Sequence, residues 1–269
     1  MRADAYAYFD TGFLAFAHRG GALYPPNLQR ENSRHAFAEA VALGYRYLET
    51  DVHLTADGVL VAFHDRHLDR VTDATGRIAA LPYEVVARAR IGGRDPIPLL
   101  GELFEAFPDA RFNIDAKSSA AVDVLARTIA DHVAYERVCI SSFGVRRLHR
   151  LRRLLGPRTA SAASSVGIAI NRFGPWLTAA LDSPAPVLQM PIDRRVFGRD
   201  LRILTDRLVS TVHRHGKQVH IWTVDDETQI ERLLDAGVDG IFTDRPDTLK
   251  TVLQRHGRWT EVLGTGDLS

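Results

Sequence analysis

The most constraining feature of this sequence is a regular alternation between short β-rich runs and longer segments of helical period. Eight candidate strands cover residues 14–18, 47–52, 111–116, 137–141, 159–163, 187–191, 218–224 and 240–243. The helical segments between and after them cover residues 33–43, 120–133, 145–154, 200–214, 226–236 and 246–254. This alternation is typical of an α/β protein in which helices cover a parallel sheet.

The length of the chain favours one closed sheet over other parallel arrangements. At 269 residues the chain is close to the ~250 residues of an eight-fold βα barrel. An open doubly wound sheet is the alternative, but the first strand is followed by His18-Arg19-Gly20-Gly21 rather than by the Gly-rich dinucleotide loop of that fold. The sequence therefore predicts a TIM (β/α)8 barrel forming a single domain over residues 1–269.

Two of the predicted helices carry recognisable start and stop signals. Ser33 precedes the first of them and Gly44 follows it, while Asp226 and Gly237 flank another in the same way. A Ser or Asp side chain satisfies free N–H groups at a helix start, and Gly accepts the left-handed backbone that ends a helix. These residues predict the ends of both helices.

One interval interrupts the regular alternation. Residues 66–98 lie between two expected barrel elements and are rich in Arg, Gly and Pro, and they are longer than an ordinary βα loop. We expect a small insertion after the second strand, placed over the mouth of the barrel. A passive surface excursion is an equally open interpretation, since long loops are either functional or simply tolerated.

Composition argues against several classes of partner. The chain has 34 basic and 33 acidic residues, a net charge of +1, which gives no overall field that attracts nucleic acid. One helix has a basic face made of Arg146, Arg147, Arg150, Arg152 and Arg153. Without interleaved aromatic residues for base stacking, that face is interpreted as solvated, and no nucleic-acid partner is expected.

The predicted environment is the cytoplasm. No run approaches the ~18 uninterrupted apolar residues of a membrane span, so no stable membrane insertion is expected. Cys139 is the only cysteine, which excludes an intramolecular disulfide and a cysteine-based zinc cluster and suggests a small buried apolar side chain. The oligomeric state stays open.

Ionisable residues follow several of the predicted strands, at the barrel end where active sites lie. The first strand ends in His18-Arg19, and the third ends in Asp115 with Lys117 two residues later. Glu49 and Asp51 lie two apart on the second strand, so their side chains point to the same face about 6.5 Å apart. We expect these side chains to meet at one mouth.

Two carboxylates on one buried face repel each other unless a proton or a cation lies between them. A hard divalent cation prefers oxygen ligands, and both Mg²⁺ and Ca²⁺ satisfy this preference. Glu49 and Asp51, with Asp115 from the neighbouring strand, are therefore candidate ligands. The choice between the two metals stays open.

A second histidine completes a set suited to phosphodiester cleavage. The apolar run 60–63 leads into His64-Asp65, which brings an imidazole towards the acidic pair. In such a set the metal polarises a phosphoryl oxygen, Arg19 and Lys117 offset charge, and His18 and His64 transfer protons. Trp222 either belongs to the core or contacts the substrate. The residues predict a hydrolase.

These motifs, in this order, resemble the glycerophosphodiester phosphodiesterase family over about residues 14–255. The matching segments are His18-Arg-Gly-Gly, Glu31-Asn-Ser33, Glu49-Thr-Asp51-Val, Leu54-Thr-Ala-Asp57-Gly58, Val61 to His64-Asp65, Asn113-Ile-Asp115-Ala-Lys117, Trp222-Thr-Val and Gly237-Val-Asp-Gly-Ile-Phe-Thr-Asp244-Arg-Pro. Their combined spacing is far more specific than any one motif.

The resemblance implies a fold, a site and an activity. It implies a TIM barrel with a small insertion, a divalent metal held by Glu49, Asp51 and Asp115, and His18 with His64 as the acid–base pair. It further implies hydrolysis of glycerophosphodiesters to sn-glycerol 3-phosphate and an alcohol in glycerophospholipid catabolism. In the mechanism this implies, a histidine deprotonates the glycerol 2-hydroxyl, which attacks phosphorus, and water then opens the cyclic phosphate.

The sequence departs from the family pattern at two places. The third metal ligand is more commonly Glu, whereas Asp115 is one methylene shorter. Three extra residues, Leu28-Gln29-Arg30, separate Pro25-Pro26 and Asn27 from Glu31, where the family usually runs directly from Pro to Glu. Both departures lie close to the expected mouth and bear on how substrate and metal are held.

Two alternative functions use the same barrel. A lysophospholipase D-like enzyme would act on lipid substrates, and an apolar rim on the insertion would favour it; residues 66–98 are instead rich in charge. A non-catalytic barrel would bind phosphodiesters without cleaving them, and loss of a site residue would indicate it. His18, Glu49, Asp51, His64 and Asp115 are all present, which favours an enzyme.

Overall fold

The computed structural model describes residues 1–174, 184–196 and 198–260, which form a barrel of parallel strands. The barrel strands are β1 (Leu14–His18), β2 (Tyr47–Leu54), β6 (Arg111–Ala116), β7 (Val138–Ser141), β8 (Ala160–Ser161), β9 (Val187–Met190), β12 (Gln218–Ile221) and β13 (Gly240–Thr243). They pair in the order β8-β7-β6-β2-β1-β13-β12-β9. A parallel bridge between Ala162 and Val187 joins the two ends of that series. The predicted TIM barrel is confirmed.

Nine helices occur in the described parts of the chain, mostly on the outside of the sheet. They are α1 (Arg34–Ala42), α2 (Tyr83–Val86), α3 (Leu100–Ala106), α4 (Ala121–Asp131), α5 (Val145–Leu155), α6 (Ser165–Phe173), α7 (Asp206–Arg214), α8 (Glu227–Asp235) and α9 (Pro246–Arg255). Among the residues described, no helix has the length and apolar character needed to cross a membrane.

The predicted helix ends are largely confirmed. The Ser33 hydroxyl accepts a hydrogen bond from the Ala36 N–H at 3.1 Å, and Asp226 accepts one from the Gln229 N–H at 2.9 Å. Gly44 and Gly237 follow the two helices with φ of +94° and +73°, the left-handed region that glycine enters at no steric cost.

One predicted helix begins later than expected. Residues 199–202 pair with β10 (Asp193–Val196) as β11 (Arg199–Arg202), and α7 begins at Asp206, where Thr205 caps it by accepting from the Leu208 N–H. The apolar positions Leu201, Ile203 and Leu204 fit both a strand and a helix, so periodicity could not separate them. The prediction of one helix over 200–214 is wrong in its first third.

The barrel interior is apolar along most of its length. The side chains buried there are Tyr6, Tyr8, Leu14, Phe16, Tyr47, Cys139, Ala160, Ala162, Val187 and Phe242. Phe16 stacks on Phe242 with ring centroids 4.1 Å apart. Burial raises the pKa of the Cys139 thiol, so this side chain acts as the small buried apolar group that the sequence indicated. The outward faces of the strands pack against the helices.

Residues 65–98 form a compact segment beside the barrel. They follow β3 (Leu60–Ala62), which runs antiparallel to β2, and they contain α2 and the hairpin of β4 (Arg90–Ile91) and β5 (Asp95–Pro96). Their buried side chains Leu68, Ile78, Val86, Ala89, Ile91 and Ile97 form one cluster with Val61 and Phe63, which precede the segment. This segment therefore has a fixed shape from which side chains can be presented to the barrel.

The basic face of α5 makes contacts within the protein. The Arg147 Nε donates to the Ser142 hydroxyl at 2.9 Å, and the Arg152 Nε donates to Ser161 at 2.8 Å. Arg150 pairs with Asp123 on the neighbouring helix α4. These contacts account for much of the charge on this face, and the expectation of no nucleic-acid partner stays a prediction.

Candidate active site

The eight side chains that the sequence singled out line one cavity of about 390 Å³. They are His18, Arg19, Glu49, Asp51, His64, Asp115, Lys117 and Trp222. Side chains alternate along each strand, and every second one points into the barrel. In β1 and β2 the inward side chains near the strand start are apolar or aromatic, and those near the carboxyl end are ionisable. In the parallel register Asp51 lies beside Asp115.

His18 is held by a carboxylate from the last barrel strand. Its Nδ1 lies 2.8 Å from Asp244 Oδ1, and its Nε2 lies 3.7 Å from Glu49 Oε2. Burial lowers the pKa of His18, but Glu49 and Asp244 together outweigh burial and leave that pKa raised. Asp244 is itself fixed, since its N–H donates to Asp225 at 2.7 Å. The imidazole thus has one orientation.

Gly20 and Gly21, which follow Arg19, are required by packing. In the structure both have positive φ, and a Cβ at Gly20 would lie 2.8 Å from backbone and side-chain atoms of Ala36, while one at Gly21 would lie 2.6 Å from Pro246. Glycine is needed here because α1 and α9 pack against the loop.

Two of the three predicted metal ligands, Asp51 and Asp115, lie against one lysine. Lys117 Nζ is 2.6 Å from Asp51 Oδ1 and 2.8 Å from Asp115 Oδ2. Burial opposes the charge of Lys117, but the two aspartates raise its pKa overall. Burial, with Asp51 nearby, raises the pKa of Glu49 to about 7. The Arg19 Nε lies 3.7 Å from Asp51 Oδ2, so two cationic side chains and three carboxyl groups share this end of the barrel.

Two buried carboxylate oxygens in this cluster accept no hydrogen bond from the described residues. Among the described residues, Asp51 Oδ2 and Asp115 Oδ1 have no hydrogen-bond partner, a costly condition for a carboxylate oxygen. Over the same residues no trio of His, Cys, Asp or Glu side chains is already arranged around a metal position, because Lys117 occupies the space between the aspartates. The donor set fits a hard divalent cation.

His64 is oriented in the same manner as His18. Its Nδ1 lies 2.6 Å from Asp65 Oδ1, and its carbonyl oxygen lies 2.9 Å from His53 Nε2. Burial lowers the pKa of His53, so that ring stays neutral and supports the His64 backbone. His53 therefore lies directly behind a site residue.

The opposite wall of the cavity is apolar. Trp222 meets Phe143 edge to face, with ring centroids 6.0 Å apart, and Phe143 is 62% exposed. Ile168, Met190 and Ile203 extend this wall. The cavity therefore joins a charged half, suited to a phosphate group, to an apolar half.

Sequence reasoning gave no role to Asp244 and Asp65, the two aspartates that hold the histidines, although both lie in the matching segments. Asp244 directly follows β13 and Asp65 directly follows His64, so position at a strand end or beside a candidate residue was the available signal. It also passed over Gln189, whose amide donates to Asn113 Oδ1 at 2.7 Å in the cavity wall. Gln189 and Asn113 lie 76 positions apart, and no pattern along the sequence indicates that they meet.

The sequence profile of the "Glycerophosphoryl diester phosphodiesterase family" matches residues 18–248. The chain belongs to this family. "Probable glycerophosphodiester phosphodiesterase 2" of Mycobacterium tuberculosis is 40% identical over 92% of this chain and 93% of that protein. "Lysophospholipase D GDPD1" of Homo sapiens is 29% identical over 88% of this chain and 85% of that protein.

A solved structure supports the same fold. The phosphodiesterase of Oleispira antarctica, in complex with the product sn-glycerol-3-phosphate, has a TM-score of 0.73 and 23% identity, over 90% of this chain and 97% of that one. The resemblance inferred from the motifs is confirmed, and so is the prediction of an enzyme of the glycerophosphodiester phosphodiesterase class.

Proposed function

We propose that this enzyme hydrolyses glycerophosphodiesters to sn-glycerol 3-phosphate and an alcohol, with His18 and His64 as its acid–base pair. One observation carries the assignment: both imidazoles line the same cavity, and each has its Nδ1 against an aspartate. In each ring Nε2 is then the nitrogen available for proton transfer. The reaction belongs to glycerophospholipid breakdown.

We propose that Glu49, Asp51 and Asp115 hold one divalent cation, Mg²⁺ or Ca²⁺. The unpartnered oxygens of Asp51 and Asp115 and the raised pKa of Glu49 support this ligand set. When bound, the cation would act as a Lewis acid towards a phosphoryl oxygen. Lys117 pairs with the other oxygen of each aspartate, Asp51 Oδ1 and Asp115 Oδ2, and so shares their charge.

Arg19 and Lys117 are proposed to bind the phosphate, and Trp222 to contact the organic part of the substrate. Both cations lie at the charged half of the cavity, and the Arg19 Nε is buried without a hydrogen-bond partner among the described residues. That N–H is a donor available to a phosphate oxygen. Trp222, on the apolar half, is placed to pack against carbon atoms.

The histidines support a two-step reaction. One imidazole removes the proton of the glycerol 2-hydroxyl, whose oxygen bonds to phosphorus as the bond to the alcohol oxygen breaks. The other imidazole gives the leaving alcohol oxygen a proton, so the alcohol leaves neutral. In the second step the roles reverse: a water loses its proton and attacks phosphorus, and the 2-oxygen leaves with a proton.

A lysophospholipase D-like activity is a second candidate. The apolar wall of Phe143, Ile168, Met190 and Ile203 is one observation in its favour. Sequence reasoning had looked for an apolar rim on the insertion. The apolar wall lies on the opposite side of the cavity instead. A single acyl chain on the glycerol could pack there, and the same chemistry would release the headgroup alcohol.

We further propose that residues 14–255 form the barrel domain, with 66–98 as its insertion. The cytoplasmic location stays a prediction from the sequence. A direct experiment would measure release of sn-glycerol 3-phosphate from deacylated diesters, and lysophosphatidate from lysophospholipids, with chelator and with Mg²⁺ or Ca²⁺ restored. Chelator-sensitive release from the diesters supports the proposal, whereas activity on lysolipids alone favours the second candidate and inactivity with both metals contradicts it.

A further inference from the structure

Arg70, a residue of the insertion, contacts two carboxylates that each hold a site side chain. Its Nε donates to Asp65 Oδ2 at 2.6 Å, and its Nη1 and Nη2 donate to Glu31 at 2.8 and 2.6 Å. Asp65 holds the His64 ring, and Glu31 accepts from Arg19 Nη1 at 3.1 Å. A single guanidinium therefore links the proposed acid–base and phosphate-binding groups.

A second contact joins the same two segments. Arg30 Nη2 donates to Asp95 Oδ1 at 2.7 Å, so adjacent residues 30 and 31 both pair with the insertion. The turn between β4 and β5 also packs closely on this loop, since a Cβ at Gly92 would lie 2.6 Å from the Gln29 carbonyl oxygen. Two of the three extra residues, Gln29 and Arg30, thus help to dock the loop onto the insertion.

We propose that Arg70 is a positioning residue, through which the insertion fixes the orientations of His64 and Arg19 for the reaction. The inference rests on the proposed function of these two residues. Arg70 does not line the cavity and acts through Asp65 and Glu31. The proposed role of Arg70 favours a functional insertion at residues 66–98 over a passive surface excursion.

The geometry needs arginine at this position. A guanidinium presents its N–H groups in a rigid planar fork that can serve two carboxylates at once, whereas a lysine ammonium is a compact point charge on a flexible stem. Arg70 is also 48% exposed on its side chain, where an ion pair contributes little to stability. Replacing it should therefore disturb orientation much more than folding.

The arrangement also fixes the His64 tautomer. Arg70 lowers the pKa of Asp65 to about 2, so Asp65 is a carboxylate that can only accept hydrogen bonds. His64 Nδ1 must then carry the hydrogen, which leaves the Nε2 lone pair for proton transfer. Without Arg70 the Asp65 side chain is free to rotate away from the ring.

The test compares Arg70→Gln and Arg70→Lys with Arg88→Gln as a matched control. Arg88 belongs to the same insertion and forms an exposed ion pair with Glu84. In steady-state kinetics on the diester that the wild type cleaves, Arg70→Gln should lower kcat roughly 10- to 100-fold with KM changed less than about threefold. Arg88→Gln should match the wild type, and the melting temperatures should agree within about 2 °C.

Nitrogen NMR of the His64 ring gives a readout that does not depend on turnover. The wild type and Arg88→Gln should show the Nδ1–H tautomer, and Arg70→Gln should show a mixture. A wild-type kcat in Arg70→Gln, an equal loss in Arg88→Gln, or an unchanged ring tautomer would each overturn the proposal. If Arg70→Gln does not fold, Arg70→Lys decides, with a loss of at least about tenfold in kcat expected.

The outcome is separable from that of the proposed function. A wild type inactive on every diester would contradict the proposed function, and the His64 tautomer would still show whether Arg70 orients the ring. An active wild type with an unaffected Arg70→Gln would leave the function standing and remove Arg70 from it.

Discussion

The two ends of the barrel use the same strands in opposite ways. At the amino end Tyr8 and Tyr47 meet edge to face, with ring centroids 5.4 Å apart, and Arg111 donates to both the Tyr8 carbonyl and the Tyr47 hydroxyl. At the carboxyl end the buried Asp51 and Asp115 each keep one oxygen without a hydrogen-bond partner in the part of the chain that the structure describes. The amino end is therefore closed by aromatic packing and hydrogen bonds, whereas carboxylate oxygens at the mouth stay available for binding.

This difference follows from the chemistry of burial. Apolar and aromatic side chains gain free energy when they leave water, whereas a buried carboxylate loses it unless a cation is present. The amino end can therefore be assigned to stability and the mouth to function, as in other βα barrels. Substitutions at the two ends should separate turnover from folding.

The largest expected effect is that of His18→Ala at the mouth. We expect turnover to fall roughly 10³- to 10⁴-fold, towards the upper range for loss of general acid–base catalysis, with thermal unfolding close to that of the wild type. His149→Ala, an exposed histidine of α5, is the control and should keep full activity. Wild-type turnover in His18→Ala would remove His18 from the acid–base pair.

At the amino half of the barrel the effect should be on folding instead. Phe16 is fully buried and stacks on Phe242, so Phe16→Ala should lower the free energy of unfolding in urea by about 3–5 kcal/mol. Phe143→Ala, at the exposed mouth, should cost less than about 1 kcal/mol. Equal losses for the two phenylalanines would contradict the proposed separation of roles.

The contrast extends to pH through His220, a fully buried residue packed on Phe16. Burial lowers the pKa of His220 to about 3, so the folded protein keeps it neutral while the unfolded chain protonates it near 6.5. Its stabilising effect is complete above pH 6.5 and declines as pH falls towards 3.

Between pH 7 and pH 5 the wild type should lose about 2 kcal/mol of unfolding free energy relative to His220→Gln, because the variant lacks this titration. Urea unfolding at several pH values measures the difference. Parallel pH profiles for the two proteins would exclude this linkage.

The smallest expected effect concerns the shortened ligand at the mouth. Asp115→Glu keeps the carboxylate and adds the methylene found in the commoner family pattern, so kcat/KM should change by less than about threefold. Asp115→Asn removes the charge and should lower kcat/KM by roughly 100-fold. If Asp115→Glu lost as much as Asp115→Asn, ligand length rather than charge would control the site.

Much of this molecule could be predicted before its structure was known. The eight strands and the ends of α1 and α8 follow from periodicity and capping residues, and these are local properties. Residues 199–202 escaped prediction because hairpin pairing with β10 selects a strand where the apolar pattern also allows a helix.

By itself, the sequence determined the barrel, the set of ionisable residues at its mouth and the family, since strand alternation and motif spacing are written along the chain. Tertiary structure alone decided which partners hold these groups. Asp244 reaches His18 across 226 positions, Arg70 reaches Glu31 across 39, and Gly20 is required by a helix that packs on it. Such contacts depend on chain closure and packing in three dimensions, which a one-dimensional pattern does not record.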